Sequence, residues 1–193
     1  RQADRAAALA FMRQHLPTLV QEEKENAEAT HADANHPLPL NDANTSLASG
    51  TDDLLNNSKS MYILWMLRDM LGDAALKSAI KNYDPAHDKD PAYMQTLLQQ
   101  ASAAQHTSSK MPLQQFFDDW VYHDRGLPDF SVKSTYVSKL MGGAGNENYL
   151  ATISVQNSDN AGAEVPVTIS AGTRERVTKR LYVPARSFAS VRI

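Results

Sequence analysis

Apolar positions recur at helical spacing through the first two thirds of the chain and alternate with polar ones through the last third. Leu9, Met12, Leu16 and Leu19 mark one face of a helical stretch over residues 3–28, and Glu22, Glu23, Lys24 and Glu25 give it solvated charge. Pro17 falls inside this stretch and predicts a kink or a division. Residues 30–56 are poor in pattern and rich in Asn, Asp, Ser and Pro, and His36-Pro37-Leu38-Pro39-Leu40 is predicted to be extended. The run Met61 to Leu67 is wholly apolar. Met70 and Leu71 continue it at helical spacing after Arg68 and Asp69, so residues 58–71 are predicted to be a helix, closed by Gly72 in a left-handed cap. Asp73 is then the expected cap of a short helix over Ala74 to Tyr83. Asp90, followed by Pro91, is the expected cap of another, with Tyr93, Leu97 and Leu98 inward. Pro112 opens the last helix, in which Leu113, Phe116, Phe117, Trp120 and Val121 share one face.

Gly126-Leu127-Pro128 ends the helical block. Beyond it apolar residues alternate with polar ones: Phe130, Val132 and Tyr136; Tyr149, Ala151, Ile153 and Val155; Val165, Val167 and Ile169; Val177, Leu181 and Val183; and a fifth stretch from Phe188 to Ile193. Gly142–Asn146, Asn157–Asn160, Gly172 and Pro184 supply the turns, and short strands at this spacing predict a β-sandwich. The fold class is therefore α+β as two domains, 1–127 helical and 128–193 a sandwich or part of one. The chain begins at Arg1 within helical pattern and ends at Ile193 within strand pattern, as a piece cut from something longer would.

Composition narrows the function. A net charge of −3 in 193 residues, from 19 basic and 22 acidic side chains, argues against nucleic-acid binding. No apolar run approaches the roughly 18 residues that span a bilayer, so a soluble protein without a transmembrane segment is expected, in the cytoplasm or outside it. With no cysteine there is no disulfide scaffold, thiolate zinc site or thiol nucleophile. The six histidines form no His-Glu-x-x-His pair, and neither a Gly-x-Ser-x-Gly elbow nor a phosphate-binding glycine loop is present. Asp119 and His123, with Asp118 and Asp124 beside them, have the i, i+4 spacing of a metal pair. A solvated helix face, with His123 favourable at the helix end, is the plainer reading. Asp84, His87, Asp88 and Asp90 lack the mid-loop glycine of a calcium loop and read as turn chemistry, and Trp65 and Met66 read as core.

Three segments in order carry a resemblance. They are Lys59-Ser60-Met61-Tyr62-Ile63-Leu64-Trp65-Met66-Leu67-Arg68-Asp69-Met70-Leu71-Gly72-Asp73, then Phe116-Phe117-Asp118-Asp119-Trp120, then Gly126-Leu127-Pro128-Asp129-Phe130 leading into strands. Together they resemble the aminopeptidase N-type zinc peptidases, the gluzincin family. The resemblance implies the helical C-terminal half of a thermolysin-like peptidase domain followed by an immunoglobulin-like β-sandwich. It implies a parent protein that hydrolyses peptide bonds with zinc-activated water and takes peptides as substrates. The family's zinc ligands, two histidines and a later glutamate, have no counterpart in this chain, so no bound zinc and no activity are expected of the 193 residues alone. The family's Tyr-x-Lys-Gly motif, whose tyrosine stabilises the tetrahedral intermediate, falls on Asn57-Ser58-Lys59-Ser60. Lys59 is retained, Asn57 stands where the tyrosine would be, and Tyr62 is a candidate substitute little more than a turn away. The departure at Asn57 leaves a second reading, a peptidase-like protein that binds peptides or proteins without cleaving them. A third reading, independent of the resemblance, is a helical module joined to a sandwich that mediates protein interaction.

Overall fold

The computed structural model describes residues 2–32, 53–103, 109–123, 125–140, 148–171 and 175–193. It is a mixed α and β structure of helices followed by antiparallel sheets. The chain divides into two compact units. One comprises Arg1–Ser108 and Leu113–Gly126, the other Ser109–Pro112 and Leu127–Ile193. The segment Ser109–Pro112 lies between two helices in sequence yet groups with the sheets.

The helical unit contains α1 (Gln2–Ala32), α2 (Asp53–Leu71), α3 (Asp73–Lys81), α4 (Tyr93–Ala103) and α5 (Leu113–Phe117), with a 3₁₀ turn at Pro85–His87. Its core draws Met12 and Leu19 from α1, Ile63, Leu67, Met70 and Leu71 from α2, Ala75 and Ala79 from α3, Leu98 from α4 and Phe116 and Phe117 from α5. These positions repeat at three- and four-residue steps, so successive helices pack through one apolar face each. The proline does not divide α1, which runs through Pro17. Proline removes one ladder donor and crowds the carbonyl four residues back. One turn ahead of it the Met12 carbonyl accepts a hydrogen bond from the Tyr62 hydroxyl of α2, at 2.6 Å. Residues 53–57 are helical rather than loop, and the extended segment expected at His36–Leu40 lies outside the described residues.

Gly72 has the positive φ that favours glycine, 84°, but its ψ of 160° lies outside the left-handed helical region expected of it; its N–H bonds to the Arg68 carbonyl at 2.9 Å. The cap of α3 differs from expectation. Gly72 occupies the cap position, and Asp73 is the first helical residue, its carboxylate paired with the Arg68 guanidinium. A charged partner holds a carboxylate more strongly than a neutral backbone donor does. Asp90 and Pro91 stand ahead of α4, not at its cap and first position: the Asp90 Oδ1 accepts from Ala92 N at 2.9 Å within the turn that leads into Tyr93. Asp84, His87 and Asp88 close the 3₁₀ turn. Asp84 accepts from Ala86 N at 2.9 Å and pairs with His87 Nδ1 at 2.9 Å, and the Tyr83 hydroxyl donates to Asp88.

The second unit holds two antiparallel sheets, one ordered β1-β2-β5 and one pairing β3 with β4. The strands are β1 (Phe130–Leu140), β2 (Asn148–Asn157), β3 (Ala163–Ala171), β4 (Glu175–Val183) and β5 (Phe188–Arg192). Ala151, Ile153 and Val155 of β2 face Leu181 and Val183 of β4 in one apolar core, flanked by Phe130, Val165, Val167, Ile169, Ala189 and Val191. The two-residue step of these positions is the pleat itself. On β1 the expected alternation breaks. A register shift at Lys133, between Val132 and Ser134, puts Thr135 opposite Ile153 and Tyr136 opposite Thr152, so Tyr136 moves to the face away from the core. Val132 keeps its place opposite Val155 but remains 67% exposed at the sheet edge.

Asn157 ends β2 as a hub. It is 1% exposed. Its amide donates to the carbonyls of Ala161 at 2.8 Å and Pro184 at 3.2 Å, and its Oδ1 accepts from the N–H groups of Asp129 and Asp159, both at 3.2 Å. One side chain thereby satisfies backbone groups from the entry to β1, the β2–β3 turn and the exit from β4. Asn157→Ala should lower the unfolding free energy by roughly 2–4 kcal/mol, because buried backbone groups lose their partners. Urea unfolding together with hydrogen exchange at the β2 and β5 amides checks this.

Candidate functional site

The residues singled out by their motif lie on the first half of α2. At about 100° per residue, Lys59 and Tyr62 fall about 60° apart on one side of the helix, and Asn57 falls about 140° from Tyr62. Burial follows that geometry. Lys59 is 2% exposed, Tyr62 is half-buried, and Asn57 lies on the exposed side, in line with the exposed Leu64 two turns on. Lys59 reaches this depth without being left unpaired. Ser58 beside it is buried as well. The structure therefore brings Lys59 and Tyr62 to one face and keeps Asn57 on another.

Tyr62 faces α1. Its hydroxyl proton is committed to the Met12 carbonyl, and burial raises the phenol above its ordinary value of 10.0. A phenol in this position staples two helices. Turning it toward the Asn57 side would give up a 2.6 Å hydrogen bond and leave the Met12 carbonyl one partner short.

At the far end of α2, Trp65 is not enclosed core. The guanidinium of Arg68 lies 5.1 Å from its ring centre and that of Arg5 lies 5.7 Å from it. Arg5, Trp65, Arg68, Asp69, Gly72 and Asp73 line a cavity of about 220 Å³. Arg5 pairs with Asp69 at 3.6 Å and Arg68 with Asp73, so opposite charges meet within the lining. These cation–π contacts and ion pairs join the start of α1 to the α2–α3 corner.

The acidic cluster after α5 differs most from its sequence reading. The helix does not continue regularly. Asp118–Tyr122 form a wider π turn, and the His123 N–H returns to the Asp118 carbonyl, five residues back, at 3.2 Å. That extra residue per turn ends the i, i+4 relation between Asp119 and His123. His123 Nδ1 meets Asp118 Oδ1 instead, at 3.2 Å. Asp119 is not part of a solvated face: it is 2% exposed, accepts from Gln115 Nε2 at 2.9 Å and faces Arg125 Nε at 3.1 Å. Arg125 also donates from Nη2 to Asp118 Oδ2 at 3.1 Å. Its buried Nε meets Asp119 as an ion pair without the alignment of a hydrogen bond. Arg125 is the residue the sequence reading missed. It lies beyond the end of the helix, seven residues from Asp118 and six from Asp119, outside the i, i+4 step of the sequence reading. Asp124 lies outside the described residues. A chain of side-chain hydrogen bonds centred on the buried Gln95 joins α4 to the end of the helical block, with Tyr122 donating to Gln95 Oε1 at 2.7 Å and Gln95 Nε2 to the exposed Gln114 Oε1 at 2.5 Å.

Among the described residues no group of three His, Cys, Asp or Glu side chains could hold a metal ion. The aspartates after α5 are turned to Arg125 and those near His87 to turn donors, so the described residues do not fit a zinc centre. No helix among them is long and apolar enough to cross a membrane.

Tyr62→Phe should remove the α1–α2 staple while leaving the ring in place, at a cost of about 1 kcal/mol in urea unfolding. The raised phenol also fixes a sign. A folded-state value above the unfolded one contributes stability that is present below pH about 10 and is lost as pH rises through the raised value. Loss of stability on raising pH past 10 should therefore be shallower in Tyr62→Phe than in the unaltered protein, measured by thermal unfolding across that range.

No protein-family model, curated protein or solved structure matches the chain.

Proposed function

We propose that this chain is the C-terminal part of a zinc-dependent aminopeptidase of the aminopeptidase N type: helices from a thermolysin-like catalytic domain, followed by an immunoglobulin-like β-sandwich. The observation that carries the reading is the order of three segments, Lys59–Asp73, Phe116–Trp120 and Gly126–Phe130. Two features support it. Each segment falls at a fitting element, namely a helix with one buried face followed by Gly72, an aromatic helix end, and the entry to the first strand. Lys59, the retained residue of the tyrosine–lysine motif, is buried to 2% exposure, so its position has a defined place in the packing. Among the described residues no group of side chains fits zinc. In this reading the chain's share of the work is to form a wall of the peptide cleft along the first half of α2.

One observation favours a second reading, a peptidase-like protein that binds peptides without cleaving them. Asn57 stands in the place of the stabilising tyrosine, and the nearest phenol, Tyr62, spends its proton on the Met12 carbonyl. An amide on a short side chain reaches less far than a phenol, so stabilisation of the intermediate would be weakened at its source.

The test uses the protein encoded by the whole reading frame. The aminopeptidase reading expects a His-Glu-x-x-His motif with a more distant glutamate upstream of Arg1, and chelator-sensitive release of coumarin from an aminoacyl-aminomethylcoumarin. With that motif present, Asn57→Tyr should raise kcat by about tenfold or more, the scale of a single stabilising donor. Peptide binding without hydrolysis would favour the second reading, and absence of the upstream motif would overturn the first. The 193 residues alone should neither retain zinc through dialysis nor release coumarin.

A further inference from the structure

The segment Ser109–Pro112 joins α4 to α5 in sequence but belongs to the sheet unit. Its attachment is specific. The Ser109 hydroxyl donates to Glu164 Oε2 at 2.6 Å, and Glu164 Oε1 accepts from Arg180 Nε at 2.9 Å. The Glu164 side chain is only 1% exposed. Glu164 opens β3 and pairs in register with Tyr182 of β4, where Arg180 lies two residues away on the same side of the sheet. Met111, two residues beyond Ser109, is buried, while Lys110 between them points to solvent.

A buried carboxylate needs both of its oxygens satisfied, and a single guanidinium nitrogen supplies one. Ser109 supplies the other. The hydroxyl is thus a requirement of the sheet unit and not decoration on a connecting loop. We propose that Ser109, Glu164 and Arg180 form a latch that fastens the α4–α5 connection onto the β3–β4 sheet, and that a negative charge at position 109 opens it. The hydroxyl is the group by which the segment reaches Glu164, and its replacement by a carboxylate sets two anions against each other beside Arg180. The segment would then detach locally, since the apolar core of the sheets is built from β2, β4 and their neighbours and needs no residue of 109–112.

The experiment uses the full chain. Native-state trypsin cleavage after Lys110 reads the segment, and hydrogen exchange at the β2 amides of Ala151, Ile153 and Val155 reads the sheet core. Ser109→Asp should raise the cleavage rate by about tenfold or more and leave exchange in β2 within about twofold. Ser109→Ala, a milder variant that keeps the fold, should raise cleavage by a smaller factor. Adding Glu164→Gln to Ser109→Asp should return cleavage most of the way to the unaltered rate, because the new amide can donate to the introduced carboxylate. Unchanged cleavage in Ser109→Asp, an equal rise in β2 exchange, or no recovery with Glu164→Gln would each overturn the latch.

Discussion

The ion pair between Arg125 and the buried Asp119 is the constraint around which the end of the helical unit is arranged. A carboxylate removed from water must be compensated nearby, and the chain supplies the cation six residues later. The π turn at Asp118–Tyr122 places Asp118 and Asp119 so that one guanidinium reaches both, and Asp118 in turn holds His123. Trp120, Phe116 and Phe117 fill the space beneath, so the same turn serves the apolar core and the polar end of the helix. Gly126, with φ 77°, then turns the chain out of the helical unit. Asn157 and Glu164 answer the same requirement within the sheets. In each case a nearly inaccessible polar side chain is held by partners from more than one segment.

The functional reading turns on a short piece of α2. Lys59 and Tyr62 are drawn inward, one into full burial and the other onto the α1 backbone, while Asn57 stays on the exposed side. If peptide is handled here, Asn57 and the face it shares with Leu64 are the part of α2 that a substrate can reach. Lys59 and Tyr62 would act on that face only by holding the helix in place.

Much of the architecture was legible because it rests on local periodicity. The seven apolar residues from Met61 sit in a helix, Gly72 takes a positive φ behind it, and the alternating residues of β2 and β4 build the sheet core. The failures share a physical cause, a single residue that changes the phase of a repeat. The register shift at Lys133 moves Tyr136 to the opposite face of β1, and the π turn breaks the step between Asp119 and His123. Neither leaves a mark in composition. Asp73 misled for another reason: its carboxylate could serve the helix N–H groups or Arg68, and sequence alone does not rank the two. The partners of Asn157 and Glu164 lie between 2 and 55 residues away, and most of those distances are set by tertiary structure rather than by any local rule.

Buried polar pairs, and the Arg125–Asp119 pair above all, decide how the helical unit ends. A double-mutant cycle with Arg125→Met and Asp119→Leu, read by urea unfolding through tryptophan fluorescence, tests this. Arg125→Met alone should cost about 3–5 kcal/mol, the double variant should cost less than that single change, and the two sites should be coupled by at least about 2 kcal/mol. Additive costs, with the double variant as unstable as the sum of the two singles, would contradict it.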